Sequence, residues 1–380
     1  MEPPPQEPVP QPSAMDALHE AGIHAAVALQ AGPPWLEQFW LLLTSHLDPN
    51  SIYTVCFPLA RGLDEHVSLM VLWIALVAEW LNVVLKWFLF GERPYWWIYE
   101  SGMAEREQLP LRQFPVTCET GPGSPSGHCM ILGAALWPIV TALSKAVSRY
   151  SRSRLLRLVP FLLYLLLLAA MGLSRIFVLA HFPHQVISGS LAGMALGWGL
   201  QRWPPNFLKV RFFLLTALGL LLSALALHGL ATAAGLDLDW FLRRASARCS
   251  EPAWLRPETR PWASLCRVSS SALGLALAAR HPLSRRAAEE LLLLEPTLGS
   301  ATLGLLALDM LHKLPRSGDS ALWYLNVGAR YALGPVLVGT LMPQLILTLR
   351  RCSGRPPRPP PVSGSVGGIC SQFMSQGAPD

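Results

Sequence analysis

Long apolar stretches constrain this chain more than any other feature. The runs over 68–90 and 212–231 each reach the roughly 20 residues that an α-helix needs to cross the hydrocarbon core of a bilayer. In lipid every backbone N–H and C=O must be satisfied inside the segment, and a helix does that. About nine such runs can be read, centred on 42–57, 68–90, 128–143, 158–177, 185–200, 212–231, 264–279, 291–311 and 327–348. Asp48 and Pro49 interrupt the first, and only a tight turn through Pro183 separates the fourth from the fifth. Charged residues make up 14% of the chain, against roughly 25% in an average soluble domain. The expected fold is therefore all-α, a polytopic membrane helical bundle of about nine transmembrane helices whose main partner is the lipid bilayer. That domain is expected over 15–350, between an extension over 1–14 and a tail over 351–380 whose Pro-, Gly- and Ser-rich compositions read as disordered. The first residues lack the basic and apolar regions of a signal peptide, and Met15, which opens a helix-like stretch, is as good a start as Met1. No repeat of 20–50 residues is visible.

The net charge of +6 does not indicate nucleic acid, because the basic residues lie in short loops between apolar runs, where topology signals sit. Lys145, Arg149, Arg152, Arg154 and Arg157 follow the third run, Arg202, Lys209 and Arg211 the fifth, and Arg280, Arg285 and Arg286 the seventh. If the runs alternate, these loops and the basic tail share the cytosolic side, and the N-terminus faces the lumen. The loop over 233–262 opposes this with Arg243, Arg244, Arg248, Arg256 and Arg260, but it is long and also carries Asp237, Asp239, Glu251 and Glu258.

Three motifs then fall on one side of the membrane. Lys86-Trp-Phe-Leu-Phe-Gly-Glu-Arg93-Pro94 closes the second run, and Glu79, Asn82 and Lys86 step by three and four along one helix face. A charge at bilayer depth costs about 2.5–3.5 kcal/mol on insertion scales, so something compensates it. Either Glu79 pairs with Lys86, or Lys86 snorkels to the interface, or Lys86 and Arg93 point at an anion. Gly121-Pro-Gly-Ser-Pro125-Ser126-Gly127-His128 opens the third run. With Ser124 as cap and Pro125 in the first turn, the N–H groups of Ser126, Gly127 and His128 face outward as a phosphate cradle; otherwise this is an ordinary capped helix start. Ser174-Arg175 and His181-Phe-Pro-His184-Gln185 join the fourth and fifth runs, where Arg and His serve either as interface anchors or as site residues. The combination decides between these readings. Two histidines, two arginines, a lysine and a glycine-bearing helix start on one face are the parts of phosphoryl transfer: a nucleophile, a proton donor and fixed positive charge. No CxxC spacing or metal-ligand cluster is present, so neither a metal nor a cofactor is expected. Cys56 and Cys129 lie in apolar runs. Cys118 and Cys249 lie in polar loops, where a disulfide is one option if both face an oxidising lumen, although the sequence does not pair them.

At these residues the chain resembles the type 2 phosphatidic acid phosphatase superfamily, whose pattern is K-x6-R-P, P-S-G-H and S-R-x5-H-x3-D. Lys86 to Pro94, Pro125 to His128, and Ser174, Arg175 and His181 match it in order, with Gln185 where the superfamily has Asp. That Gln, together with Glu79-Trp-Leu-Asn, Arg93-Pro-Tyr-Trp-Trp and Cys118-Glu-Thr-Gly, is similar to the glucose-6-phosphatase branch. Phe88 to Gly91, Cys129 to Pro138 and Ala272 to Leu277 point within it to a broadly expressed subunit. The resemblance implies hydrolysis of glucose 6-phosphate, and of related sugar 6-phosphates, in the endoplasmic reticulum membrane, with functional coupling to a glucose-6-phosphate transporter. It implies that His181 attacks phosphorus to form a phosphohistidine and that His128 protonates the leaving sugar oxygen. Arg93, Lys86, Arg175, Ser126 and Gly127 would hold the phosphoryl oxygens. The competing readings are a lipid phosphatase of the same superfamily, a sugar-phosphate transporter and an inactive scaffold. Tyr95, Trp96 and Trp97 are candidates either to stack on a pyranose ring or to form an interfacial aromatic belt.

Overall fold

The computed structural model describes residues 13–204, 210–280, 298–313 and 319–352. Among them there is no β-strand, and nearly everything is helix. In chain order the helices are α1 (Ala14–Gln30), α2 (Pro34–His46), the single turn α3 (Pro49–Ser51), α4 (Phe57–Leu63), α5 (Glu65–Leu89), α6 (Pro94–Glu100), α7 (Met103–Glu107), α8 (Gly127–Tyr150), α9 (Arg154–Phe177), α10 (Pro183–Arg202), α11 (Val210–Ala233), α12 (Trp240–Arg248), α13 (Pro261–Arg280), α14 (Leu298–Lys313), α15 (Ser320–Val336) and α16 (Met342–Cys352). The extension over 1–14 and the tail over 351–380 lie outside the described residues except at their inner ends, where Ser13 caps α1 and α16 finishes.

Among the described residues, five helices are long and apolar enough to cross a membrane: Glu65–Glu100, Gly127–Tyr150, Arg154–Phe177, Val210–Ala233 and Pro261–Ala279. Four expected runs look different. The run over 42–57 is broken among α2, α3 and a π-helical stretch, because Asp48 caps α3 through Ser51 N at 3.0 Å and Pro49 opens it. The run over 185–200 is the regular helix α10, diluted by Gly, Ser and Gln. Part of 291–311 lies outside the described residues, and 327–348 is helix interrupted by a π-helical stretch over Leu337–Leu341.

Which helices meet follows from side-chain size. Gly193 on α10 lies so close to α8 that an added Cβ would stand 2.3 Å from the Met130 carbonyl oxygen. Gly189 and Gly197 flank it at the spacing by which small residues let membrane helices touch. Large leucines face the other way. Leu162, Leu163 and Leu166 on α9, with Leu215, Leu218 and Leu222 on α11, are exposed, a surface that only lipid satisfies. Trp80 Nε1 donates to the Leu220 carbonyl at 2.9 Å and ties α5 to α11. The ends of α5, α8, α9 and α10 converge with the loops over 101–126 and 249–260, and the site lies at that convergence.

Candidate active site

The site is built on a loop that one arginine organises. Arg93 is the residue before α6, fully buried, and its guanidinium donates from Nε to the Gly121 carbonyl at 2.6 Å, from Nη1 to Ala180 at 2.9 Å and from Nη2 to Pro122 at 3.1 Å. It thereby joins the loop before α8 to the turn between α9 and α10. Gly123 continues this loop against Glu92 and Gln185, where an added Cβ would meet the Glu92 carbonyl oxygen at 2.3 Å. Glycine alone permits that approach, and it brings the Gly123 carbonyl to His181 Nδ1 at 2.9 Å.

That contact settles how His181 is held without the superfamily aspartate. Nδ1–H donates to Gly123, with Gln185 Oε1 farther off at 3.3 Å. Gln185 is occupied elsewhere, its Nε2 donating to the Glu92 carbonyl at 2.7 Å and its Oε1 accepting from Phe182 N at 3.1 Å. With the proton on Nδ1, the Nε2 lone pair faces Arg93 Nη1 at 3.5 Å. Burial, and then the Arg93 guanidinium, push the imidazole well below its ordinary pKa, which favours the neutral ring. His184, the other histidine of the motif, instead stacks with Phe182 and His19.

α8 starts at Gly127, two residues later than the pattern suggested, with Ser126 as N-cap and Pro125 outside the helix. The expected trio of outward N–H groups is reduced, because Ser126 N donates to the Gln185 carbonyl at 3.0 Å. Gly127 and His128 occupy the first turn, where no carbonyl of the helix reaches their N–H groups. The Ser126 hydroxyl and His128 Nε2 are buried without a hydrogen-bond partner among the described residues.

At the centre stands Glu119. Its carboxylate lies 3.0 Å from Arg93 Nη1, hydrogen-bonds Arg175 Nη2, and places one oxygen 3.6 Å from His128 Nδ1 and the other 3.8 Å from His181 Nε2. Burial would raise its pKa, but Arg175 and Arg93 outweigh that and hold it well below the usual carboxylate range. Arg175 is itself fixed by Nη1 donating to the Thr44 hydroxyl at 2.6 Å. Two guanidiniums and two imidazoles thus surround one anion position. Lys86 lines a cleft with His128, Gly127 and Glu119. Among the described residues no cluster with a metal ion's ligand set is present.

Several expectations change. Glu79 does not pair with Lys86: Arg267 on α13 donates to it from Nε at 2.8 Å, and the Tyr53 hydroxyl does so at 2.6 Å. Tyr95, Trp96 and Trp97 are buried, and they form neither a belt nor a wall of the cleft. Trp96 packs on Trp240, Trp97 on Phe182, and the Tyr95 hydroxyl donates to the Glu119 carbonyl at 3.0 Å. The arginines of the 233–262 loop hold structure together, Arg244 by ion pairs to Glu92 and Glu100 and Arg243 by one to Asp237. That loop belongs to the site. Cys118 and Cys249 form a disulfide, Thr120 N donates to the Thr259 hydroxyl at 2.9 Å, and Thr120 Oγ1 to the Arg256 carbonyl at 3.0 Å. Sequence reasoning missed Glu119, although a signal was present: histidine aside, it is the one charged residue between Arg112 and Lys145.

Residues 68–209 match the family described as the PAP2 superfamily. The chain is 44% identical over 335 residues to Glucose-6-phosphatase 3 of Mus musculus, covering 88% of this chain and 97% of that protein. It is 44% identical over 329 residues to Glucose-6-phosphatase 3 of Homo sapiens, covering 87% and 95%. Against Glucose-6-phosphatase catalytic subunit 1 of Rattus norvegicus it is 37% identical over 280 residues, 72% of this chain and 78% of that protein. No solved structure matches.

Proposed function

This chain belongs to the glucose-6-phosphatase family and is a multi-pass membrane phosphatase, and from that premise we propose that it hydrolyses glucose 6-phosphate through a phosphohistidine at His181. The observation that carries the reading is the Glu119 carboxylate, a single anion position with an imidazole at each oxygen and guanidiniums from Arg93 and Arg175. A phosphoryl group takes that position by displacing the carboxylate, which already lines the adjoining cleft.

In this mechanism the neutral His181 Nε2 attacks phosphorus while Nδ1–H stays on the Gly123 carbonyl, which stabilises the cationic ring as the P–N bond forms. His128 gives a proton to the departing sugar oxygen and then takes one from the water that cleaves the phosphohistidine. Arg93 and Arg175 hold the equatorial oxygens, where charge grows towards the transition state, with Lys86, the Ser126 hydroxyl and the Gly127 N–H completing the shell. The polar cleft beside His128 favours a sugar over a lipid leaving group.

The site faces the endoplasmic reticulum lumen in this reading, with the N-terminus lumenal, the C-terminus cytosolic, and a glucose-6-phosphate transporter supplying substrate. The disulfide between the two loops beside the site supports this side, because disulfides persist in oxidising compartments. Rapid quenching with phosphate-labelled glucose 6-phosphate tests the mechanism. Wild type carries acid-labile label, His181→Ala carries none, and His128→Ala accumulates label slowly from an ester with a good leaving group. Label on His181→Ala, or none on wild type during turnover, refutes the phosphohistidine.

A further inference from the structure

In an in-line displacement the leaving oxygen departs opposite the nucleophile. The Glu119 carboxylate marks that axis, with one oxygen towards His181 Nε2 at 3.8 Å and the other towards His128 Nδ1 at 3.6 Å. The leaving group therefore lies beyond His128. A cleft opens there: His128, Lys86, Gly127 and Glu119 line it, while His181, Arg93 and Arg175 do not contribute.

The rest of its lining is mostly polar and suits a polyol. Asp48, Asn50, Asn82, Arg256 and Thr259 present carboxylate, amide, guanidinium and hydroxyl groups, and Pro49 and Ile131 are its apolar members. A lipid chain would leave those polar groups unpaired, at a cost in affinity. Asp48 is held in advance of any ligand. Its Oδ1 accepts from Ser51 N at 3.0 Å, its Oδ2 from Asn50 Nδ2 at 2.9 Å, and Arg256 stands 3.9 Å away. Asn50 is in turn fixed by the Tyr331 hydroxyl, which donates to its Oδ1 at 2.7 Å. A carboxylate oxygen accepts more than one hydrogen bond, so both Asp48 oxygens keep capacity for neighbouring hydroxyls. The 249–260 loop that supplies Arg256 and Thr259 is tied to the phosphate side by the disulfide and by Thr120. This loop and the phosphate side are therefore built on one frame.

We propose that this cleft is the hexose subsite, and that Asp48 is a specificity-determining residue that binds ring hydroxyls of the leaving sugar, with Asn50 positioning it. The assignment rests on the reading of the chain as a sugar-phosphate hydrolase.

The test compares full-length wild type and Asp48→Asn in detergent. kcat/KM is measured for glucose 6-phosphate, its 2-, 3- and 4-deoxy analogues and p-nitrophenyl phosphate. Asn retains the cap on α3, and Asp48→Ser, another good cap, serves if the first variant folds poorly. Asp48→Asn is expected to lower the ratio of glucose 6-phosphate to p-nitrophenyl phosphate activity about tenfold or more. That loss should vanish for the deoxy sugar lacking the hydroxyl that Asp48 binds. An equal loss on every substrate, which a merely structural role would give, overturns the assignment, and so does an unchanged ratio. Wild type that cleaves p-nitrophenyl phosphate but no hexose phosphate instead removes the broader reading, and the subsite with it.

Discussion

Glu79 and Glu119 are both buried glutamates paired with arginine, yet their surroundings differ in balance. Around Glu79 one carboxylate meets one guanidinium. Arg267 donates to it from Nε and Nη2, Tyr53 adds its hydroxyl at 2.6 Å, and Arg267 Nη2 also donates to Ser264 at 2.9 Å. Around Glu119 one carboxylate meets two guanidiniums, and among the described residues the Ser126 hydroxyl, His128 Nε2 and Arg175 Nε are buried without partners. A closed pair holds helices together. A cluster with surplus positive charge and unused donors is arranged for a second anion. Burial alone does not separate the two, since both glutamates are nearly inaccessible, whereas the count of charges and donors does.

The largest effect should come from breaking the closed pair. Arg267→Ala strands the Glu79 carboxylate and is expected to cost about 3–5 kcal/mol, seen as a lower midpoint in thermal unfolding, with most of it recovered in Glu79→Leu/Arg267→Met. A loss under about 1 kcal/mol would mean the pair is not structural. Next, Arg93→Lys keeps the charge but cannot donate to the Gly121, Pro122 and Ala180 carbonyls together, so kcat should fall about 100- to 1000-fold. Turnover near wild type would remove Arg93 from the anion site. Glu119→Gln sharpens the comparison by deleting the internal anion, and orthovanadate should then inhibit about tenfold more tightly in steady-state assays. Weaker inhibition would show that the carboxylate assists anion binding and does not compete with it.

The smallest effect concerns acid. Because the folded-state pKa of Glu119 is depressed, its contribution to stability is complete above the ordinary carboxylate range and is lost as pH falls through the folded value. Unfolding midpoints measured against pH should therefore decline less steeply on the acid limb for Glu119→Gln than for wild type. Parallel curves would place the acid sensitivity elsewhere.

Much of the helical bundle was legible because apolar runs of membrane length and helical structure have the same local cause, and among the described residues five helices carry that signature to its full length. The broken run near Asp48 was visible as an interruption, but its consequence, a cap residue facing the cleft, was not. Lys86, Arg93, Ser126, Gly127, His128, Arg175 and His181 were legible because their spacing lies within short segments. Glu119, Asp48, Arg256 and the Gly123 carbonyl were not, because each acts on a partner far along the chain: Glu119 on Arg175 across 56 positions, Gly123 on His181 across 58.

What the sequence determined by itself was the medium, the helical class and the chemical parts of a phosphoryl-transfer site, because hydropathy and motif spacing are local properties. Only the tertiary structure decided which carboxylate meets which guanidinium, which backbone oxygen sets the tautomer of His181, and that Cys118 pairs with Cys249. Electrostatics and hydrogen bonding act over a few ångströms, and residues distant along the chain reach that range only when the helices have packed.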